Sequence, residues 1–255
     1  MAKPQFEFNK EEHYYTLDGK RMYGTTTVLG VIAKPALIAW AANMASQYVE
    51  DEVAKIAREN DGLEYLRELA KEWARILKEA RSAHRRKKEN AGSKGTDVHG
   101  IIETAIKEAI EKNKGFISEL LFSDTPQVKH FYDWARNNKI RFLASEKQLY
   151  SESMWVAGTT DMVFEKEGKK FIGDIKTSSA IYSEHFYQMA AYRMMLEEMG
   201  EKDFEASAII RLGKDGKFNE EKDVQYHYDY DTDKSAFLGA LAIFKANESY
   251  KQINK

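Results

Sequence analysis

The 255-residue sequence contains no cysteine. That excludes structural disulfides, cysteine nucleophiles and any iron–sulfur cluster held by thiolates. No apolar run approaches the about 18 residues that a membrane-spanning helix needs, and the start shows no charged-then-apolar leader pattern. No membrane partner is expected. A surplus of positive charge is also missing: the formal charge is −2, so any attraction to nucleic acid has to be local. Gly92-Ser93-Lys94-Gly95 lacks the spacing and the preceding strand of a phosphate-cradling loop, so neither a bound nucleotide nor an ATP-driven motor is expected.

What is present is a core of useful size. With 43% hydrophobic residues, a chain of this length buries a substantial interior and suits an α/β core with a helical subdomain. Segments 155–164 and 170–177, rich in Val, Ile, Phe and Thr and separated by a turn at 165–168, read as a strand hairpin. A strand is expected at 140–150 before it, and others at 205–212 and 224–230 after it. Helices are expected at 125–137, 182–199 and 232–250. Tyr226, His227 and Tyr228 read as edge-strand residues without a catalytic role. Residues 13–23 alternate around Asp18-Gly19, a second hairpin signal, and Thr25-Thr26-Thr27 starts a helix. From 35 to about 113 the chain reads as charged amphipathic helices broken at Gly62 and at 90–95. Their stripe of Trp40, Tyr48, Leu63, Leu66, Leu69, Trp73, Ile76 and Leu77 reads as interhelix packing rather than as base-stacking platforms.

Charges interrupt the hydrophobic strands at informative places. Asp161 lies on the first strand of the 155–177 hairpin; Asp174 and Lys176 lie on the second, on one face, with Ile175 turned to the other. Ions seldom sit in strand cores unless they are paired, bind a metal or do chemistry. Two carboxylates on neighbouring strands make a hard oxygen site for Mg²⁺ or Mn²⁺. Phosphodiester hydrolysis needs such an ion to shield phosphate and lower the pKa of water, and a cation such as Lys176 near the reacting oxygens. An edge-strand ion pair between Asp174 and Lys176 is the plainer alternative. Gln188 and Tyr192 stand four apart on one helix face, as do His99 and Glu103 on another. A helical His/Glu pair is commonly only solvated, and His99 alone is no metal signature.

Together, Gly158-Thr159-Thr160-Asp161, Asp174-Ile175-Lys176-Thr177-Ser178 and Gln188-Met189-Ala190-Ala191-Tyr192, preceded by His99, resemble the PD-(D/E)XK nuclease superfamily in its RecB-type exonuclease branch. Within that branch the chain is similar to small stand-alone enzymes such as phage exonucleases and the mitochondrial genome maintenance exonuclease. The resemblance spans about Thr25 to Tyr192, with Asp174 where many relatives carry Glu. It implies a restriction-endonuclease-like mixed central sheet flanked by helices, with an N-terminal helical subdomain: residues 1–94 as a hairpin and helices along the DNA path, and 95–255 as the nuclease core. It implies that His99, Asp161, Asp174 and the Ile175 carbonyl hold one or two ions of Mg²⁺ or Mn²⁺, and that Lys176 positions or helps deprotonate the attacking water. Gln188 and Tyr192 match the helix motif of the branch, and Glu103 and Glu146 are supporting acids.

The implied activity is metal-dependent hydrolysis of DNA from single-stranded ends, in replication, recombination or repair, beside a recombination or replication partner protein. A bacterial or phage-infected cytoplasm is the implied setting. Residues 81–94 carry Arg81, Arg85, Arg86, Lys87, Lys88 and Lys94 against one acid, Glu89. With Thr177 and Ser178 they are the candidate DNA contacts, the alternative being a solvated helix face. Other readings of the whole are a structure-specific endonuclease, an RNA nuclease, or a non-catalytic recombination or packaging component that binds DNA.

Overall fold

The structure is a computed structural model that describes residues 4–32 and 34–253. In chain order the elements are β1 (Phe6–Asn9), β2 (Tyr14–Leu17), β3 (Lys20–Arg21), β4 (Tyr23–Gly24), α1 (Thr25–Leu29), α2 (Pro35–Glu59), α3 (Gly62–Ala80), α4 (Ala83–Lys112) and α5 (Pro126–Asn137). There follow β5 (Arg141–Ser151), β6 (Val156–Lys166), β7 (Lys169–Lys176), α6 (Ser183–Glu198), β8 (Phe204–Arg211), α7 (Glu220–Asp223), β9 (Val224–His227) and α8 (Tyr230–Ile253). One compact unit comprises the described residues up to Ile32 together with those from Val98 onward; the second lies between them in sequence. The expected division at 94/95 put the N-terminal hairpin with the helices, whereas it groups with the sheet.

The main sheet is mixed and runs β4-β6-β7-β8-β9, with β5 paired to β6. β6 is antiparallel to β5 and β7 and parallel to β4. β7 and β8 are parallel, and β9 closes the edge antiparallel to β8. Side-chain alternation sorts β6 between two cores. Met162 and Phe164 enter the core covered by α5 and residues 98–109 of α4, while Val163 enters the one covered by α1, α6 and α8. In α5, Val128, Phe131, Tyr132 and Ala135 recur at i, i+3, i+4 and i+7 and are all buried. Phe131, Trp134, Phe164 and Phe171 continue as an aromatic chain with centroids 5.3 to 5.7 Å apart. Each such pair adds about 0.5–1.5 kcal/mol to the burial of the rings.

A smaller sheet, β1-β2-β3, stacks Phe6 and Phe8 on Tyr15. In the second unit α2 packs on α3, with Arg75 bridging Glu52 and Glu72. Three expectations are corrected here. The segment 90–95 is helical within α4 instead of a break. β9 stops at His227. Of the apolar stripe, Ile76 is buried, but Leu63, Leu66, Trp73 and Leu77 are exposed; the stripe is wider than the single face by which α3 meets α2.

Candidate active site

The site lies at a fork in the sheet. Along one edge of β6, residues 156–157 pair with β4 and residues 162–166 with β7, leaving 158–161 without ladder partners on that side. Backbone groups at such a gap need other partners. Asp161 supplies one: its Oδ2 accepts from the Ile175 N–H over 2.7 Å. His99, on α4, contacts the Ile175 carbonyl through Nε2 at 2.8 Å and stands 3.7 Å from Asp161 Oδ2. Of the expected group, His99, Asp161 and the Ile175 backbone are thus in contact, with Asp174 next to Ile175 in β7.

Asp174 is buried, and Lys176 Nζ stands 2.6 Å from its Oδ2. Lys176 also donates to Gln188 Oε1 over 3.1 Å, and Gln188 Nε2 donates to Tyr192 OH over 2.7 Å. Asp174, Lys176, Gln188 and Tyr192 therefore form one chain of polar contacts from strand to helix. The turn spacing of α6 sets it, since Gln188 and Tyr192 fall on successive turns of the face packed on β6 and β7. Tyr192 lies close against Gly158, where a Cβ would sit 2.5 Å from its Cε1.

The electrostatics follow from crowding. Burial, and after it the charge of Asp174, push the Asp161 carboxyl up to about 7. Burial works to lower the Lys176 ammonium, but Asp174 and Asp161 outweigh it and hold the group above its ordinary value. In that state Lys176 carries its proton. Burial, then the charge of Glu103, raise Glu146. Glu146 sits in β5 between Ser145 and Lys147, the partners of Met162 and Thr160, which sets it across from Asp161. Its φ of 47° is strained for a non-glycine residue, a feature that gathers at functional sites.

The expected catalytic and metal-holding residues and Glu146 line one cavity of about 470 Å³, and Glu103 does not. Glu103 instead pairs with Lys107 at 2.5 Å. Sequence reasoning missed part of the lining. Tyr15, whose OH lies 2.9 Å from Thr159 Oγ1, and buried Thr25, which donates to the Ala157 carbonyl over 3.0 Å, both belong to it. So do His13, Tyr14 and Arg21. The alternation of residues 13–23 gave the hairpin, but nothing local shows that it docks on β6.

Among the described residues no three His, Asp or Glu side chains gather as a ready metal cage. The donors present still suit a hard divalent cation: two crowded carboxylates beside the peptide carbonyl of Ile175. Arg81 and Arg85 are exposed, while Arg86 lies over the Tyr48 ring at 5.0 Å and donates to Ser82 Oγ and the Glu79 carbonyl. The side chains of Lys87, Lys88 and Lys94 lie outside the described residues. Thr177 is half-buried, and Ser178 Oγ donates to the Ala180 carbonyl over 2.7 Å. No helix among the described residues is long and apolar enough to cross a membrane.

No family model matches the sequence, and no curated protein is significantly similar to it.

Proposed function

We propose that the chain is a metal-dependent deoxyribonuclease with a restriction-endonuclease-like core of the PD-(D/E)XK type, acting as an exonuclease on single-stranded ends. One observation carries this reading: Asp161 and Asp174, from adjacent strands at the fork, face a single cavity with Lys176, and Lys176 is fixed by Gln188 and Tyr192. A divalent cation held by Asp161, Asp174 and the Ile175 carbonyl, with His99 beside them, would shield phosphate charge and lower the pKa of the attacking water. Lys176 holds that water, or the phosphate oxygen next to it, by a charge-assisted hydrogen bond. Gln188 fixes the ammonium and Tyr192 fixes Gln188, so the donor is in place before the substrate arrives. Glu146 adds negative charge to the same wall and favours cation binding over direct approach of phosphate.

Preference for an unpaired strand rests on the resemblance to the RecB-type exonuclease branch; of the aromatic side chains that line the cavity, Tyr15 is stacked by Phe6 and Phe8 and Tyr14 by Arg21. The test is digestion of labelled single-stranded DNA, duplex DNA and RNA side by side, with Mg²⁺, with Mn²⁺ and with chelator. Release of nucleotides from single-stranded DNA ends, abolished by chelator, supports the reading. Preferential RNA cleavage, or binding to DNA without cleavage under every condition, replaces it.

A further inference from the structure

The hairpin β2–β3 places a cation on the rim of the same cavity. Arg21 is exposed, its guanidinium carbon lies 4.7 Å from the centroid of the Tyr14 ring, and both residues line the cavity. The register explains the stack: Arg21 is opposite Thr16, so Tyr14 is its diagonal neighbour on the same face. Among the described residues no carboxylate pairs with Arg21, although acids are plentiful on the cavity floor. The hairpin is also fastened to the strand that carries Asp161. Trp155 Nε1 donates to the Arg21 carbonyl over 3.0 Å, and the Tyr15 hydroxyl meets Thr159 at 2.9 Å. Arg21 is therefore held at both its backbone and its guanidinium plane, with its N–H fork left for a ligand.

A planar guanidinium flattened on an aromatic ring is suited to phosphate, which it binds by paired charge-assisted hydrogen bonds. The acid pair and Lys176 already account for one phosphate. We propose that Arg21, with Tyr14 as its positioning residue, binds a second, uncleaved phosphate of the same strand, so that the site recognises a polynucleotide rather than an isolated phosphodiester. This rests on the nuclease reading and extends it to substrate choice. The floor repels phosphate except through a cation while the rim attracts it directly, so a strand is drawn in with its charge divided between the two.

The test uses the full chain and an oligothymidylate, measuring binding by fluorescence anisotropy with chelator present and initial cleavage with Mg²⁺. Arg21→Ala is expected to weaken binding and raise KM about ten- to a hundredfold, the loss of a charged hydrogen bond, with kcat within about twofold of wild type. Arg21→Lys restores part of the loss, and Tyr14→Leu costs less than Arg21→Ala. An oligothymidylate whose phosphates alternate with neutral methylphosphonates weakens binding to the wild type by more than it weakens binding to Arg21→Ala. Unaltered binding and KM in Arg21→Ala overturn the subsite, as does a fall in kcat alone, which would put Arg21 at the cleaved phosphate. If the wild type binds the strand through Arg21 but cuts nothing with Mg²⁺ or Mn²⁺, the nuclease reading fails and the subsite stands. Absence of both binding and cleavage removes both.

Discussion

Gly158 and Tyr192 are in close contact: a Cβ built on the glycine falls 2.5 Å from Cε1 of the ring and 2.9 Å from Thr25 Oγ1. The absence of a side chain at 158 lets α6 lie close enough to β6 for Tyr192 to reach Gln188, and for Gln188 to reach Lys176. Gly158→Ala is therefore expected to push α6 away, costing about 1–3 kcal/mol through overpacking and lowering activity more than stability alone explains. Thermal unfolding and single-stranded DNA hydrolysis measure the two effects. An alanine variant that matches wild type in both would contradict the close approach.

The polar chain makes a separate prediction about catalysis. Gln188→Leu leaves Lys176 without its Gln188 acceptor and Tyr192 without its donor. Because the pair positions a reacting group and touches no remote part of the substrate, kcat is expected to fall about ten- to a hundredfold with KM little changed. Tyr192→Phe, which removes only the outer link, falls less. Steady-state kinetics on one oligonucleotide decide it, and a rise in KM at constant kcat would mean that the two residues bind substrate instead.

Away from the site, Glu198 ties the end of α6 to the β5–β6 turn. Its carboxylate accepts from the Ser151 and Ser153 hydroxyls at 2.6 and 2.8 Å and from the Glu152 and Ser153 N–H groups at 2.8 and 3.2 Å. Burial acts to raise this carboxyl, but the hydrogen bonds from Ser151, Ser153 and Glu152 prevail and leave it lowered. A lowered acid contributes stability that is fully present above its ordinary value of about 4.3 and is lost as pH falls through the folded value. Glu198→Gln is expected to cost about 1 kcal/mol at neutral pH, discounted for the exposure of the group. The difference from wild type should vanish in the acid range. Urea unfolding at a series of pH values measures it, and a gap that stays constant into acid would show that charge is not involved.

Much of this arrangement was legible in the sequence because it is local. Asp161, Asp174 and Lys176 stand out as ions within β-branched strands, and the i, i+4 spacing of Gln188 and Tyr192 needs only the helix that contains them. What stayed hidden depends on distant partners. β4 is two residues long and joins the sheet only through Val156 and Ala157, more than a hundred positions away. β1 has its partner in β2, but the stack of Phe6 on Tyr150 that covers it comes from β5. The pair of half-buried Arg211 and buried Asp223, 2.6 Å apart, likewise gives no signal before the chain folds. The 90–95 segment misled because glycine and asparagine lower helix propensity without forbidding helix.

The choice between exonuclease and endonuclease rests on ends. A cavity that seats one strand terminus beside the acid pair is expected to degrade linear single-stranded DNA and to spare closed single-stranded circles of the same sequence. Gel analysis of both substrates in one reaction shows this directly. Cutting of circles at a comparable rate would make the protein an endonuclease with the same chemistry.

The central claim is that Asp161, Asp174 and Lys176 act together on a phosphodiester with a divalent cation. Its most direct test is hydrolysis of end-labelled single-stranded DNA by wild type, Asp174→Asn and Lys176→Met, with Mg²⁺ or Mn²⁺, on protein shown to be folded by circular dichroism. Wild type should release nucleotides only when the cation is present, and each variant should be slower by at least about a hundredfold. Hydrolysis by Asp174→Asn at the wild-type rate, or by wild type in excess chelator, would contradict it.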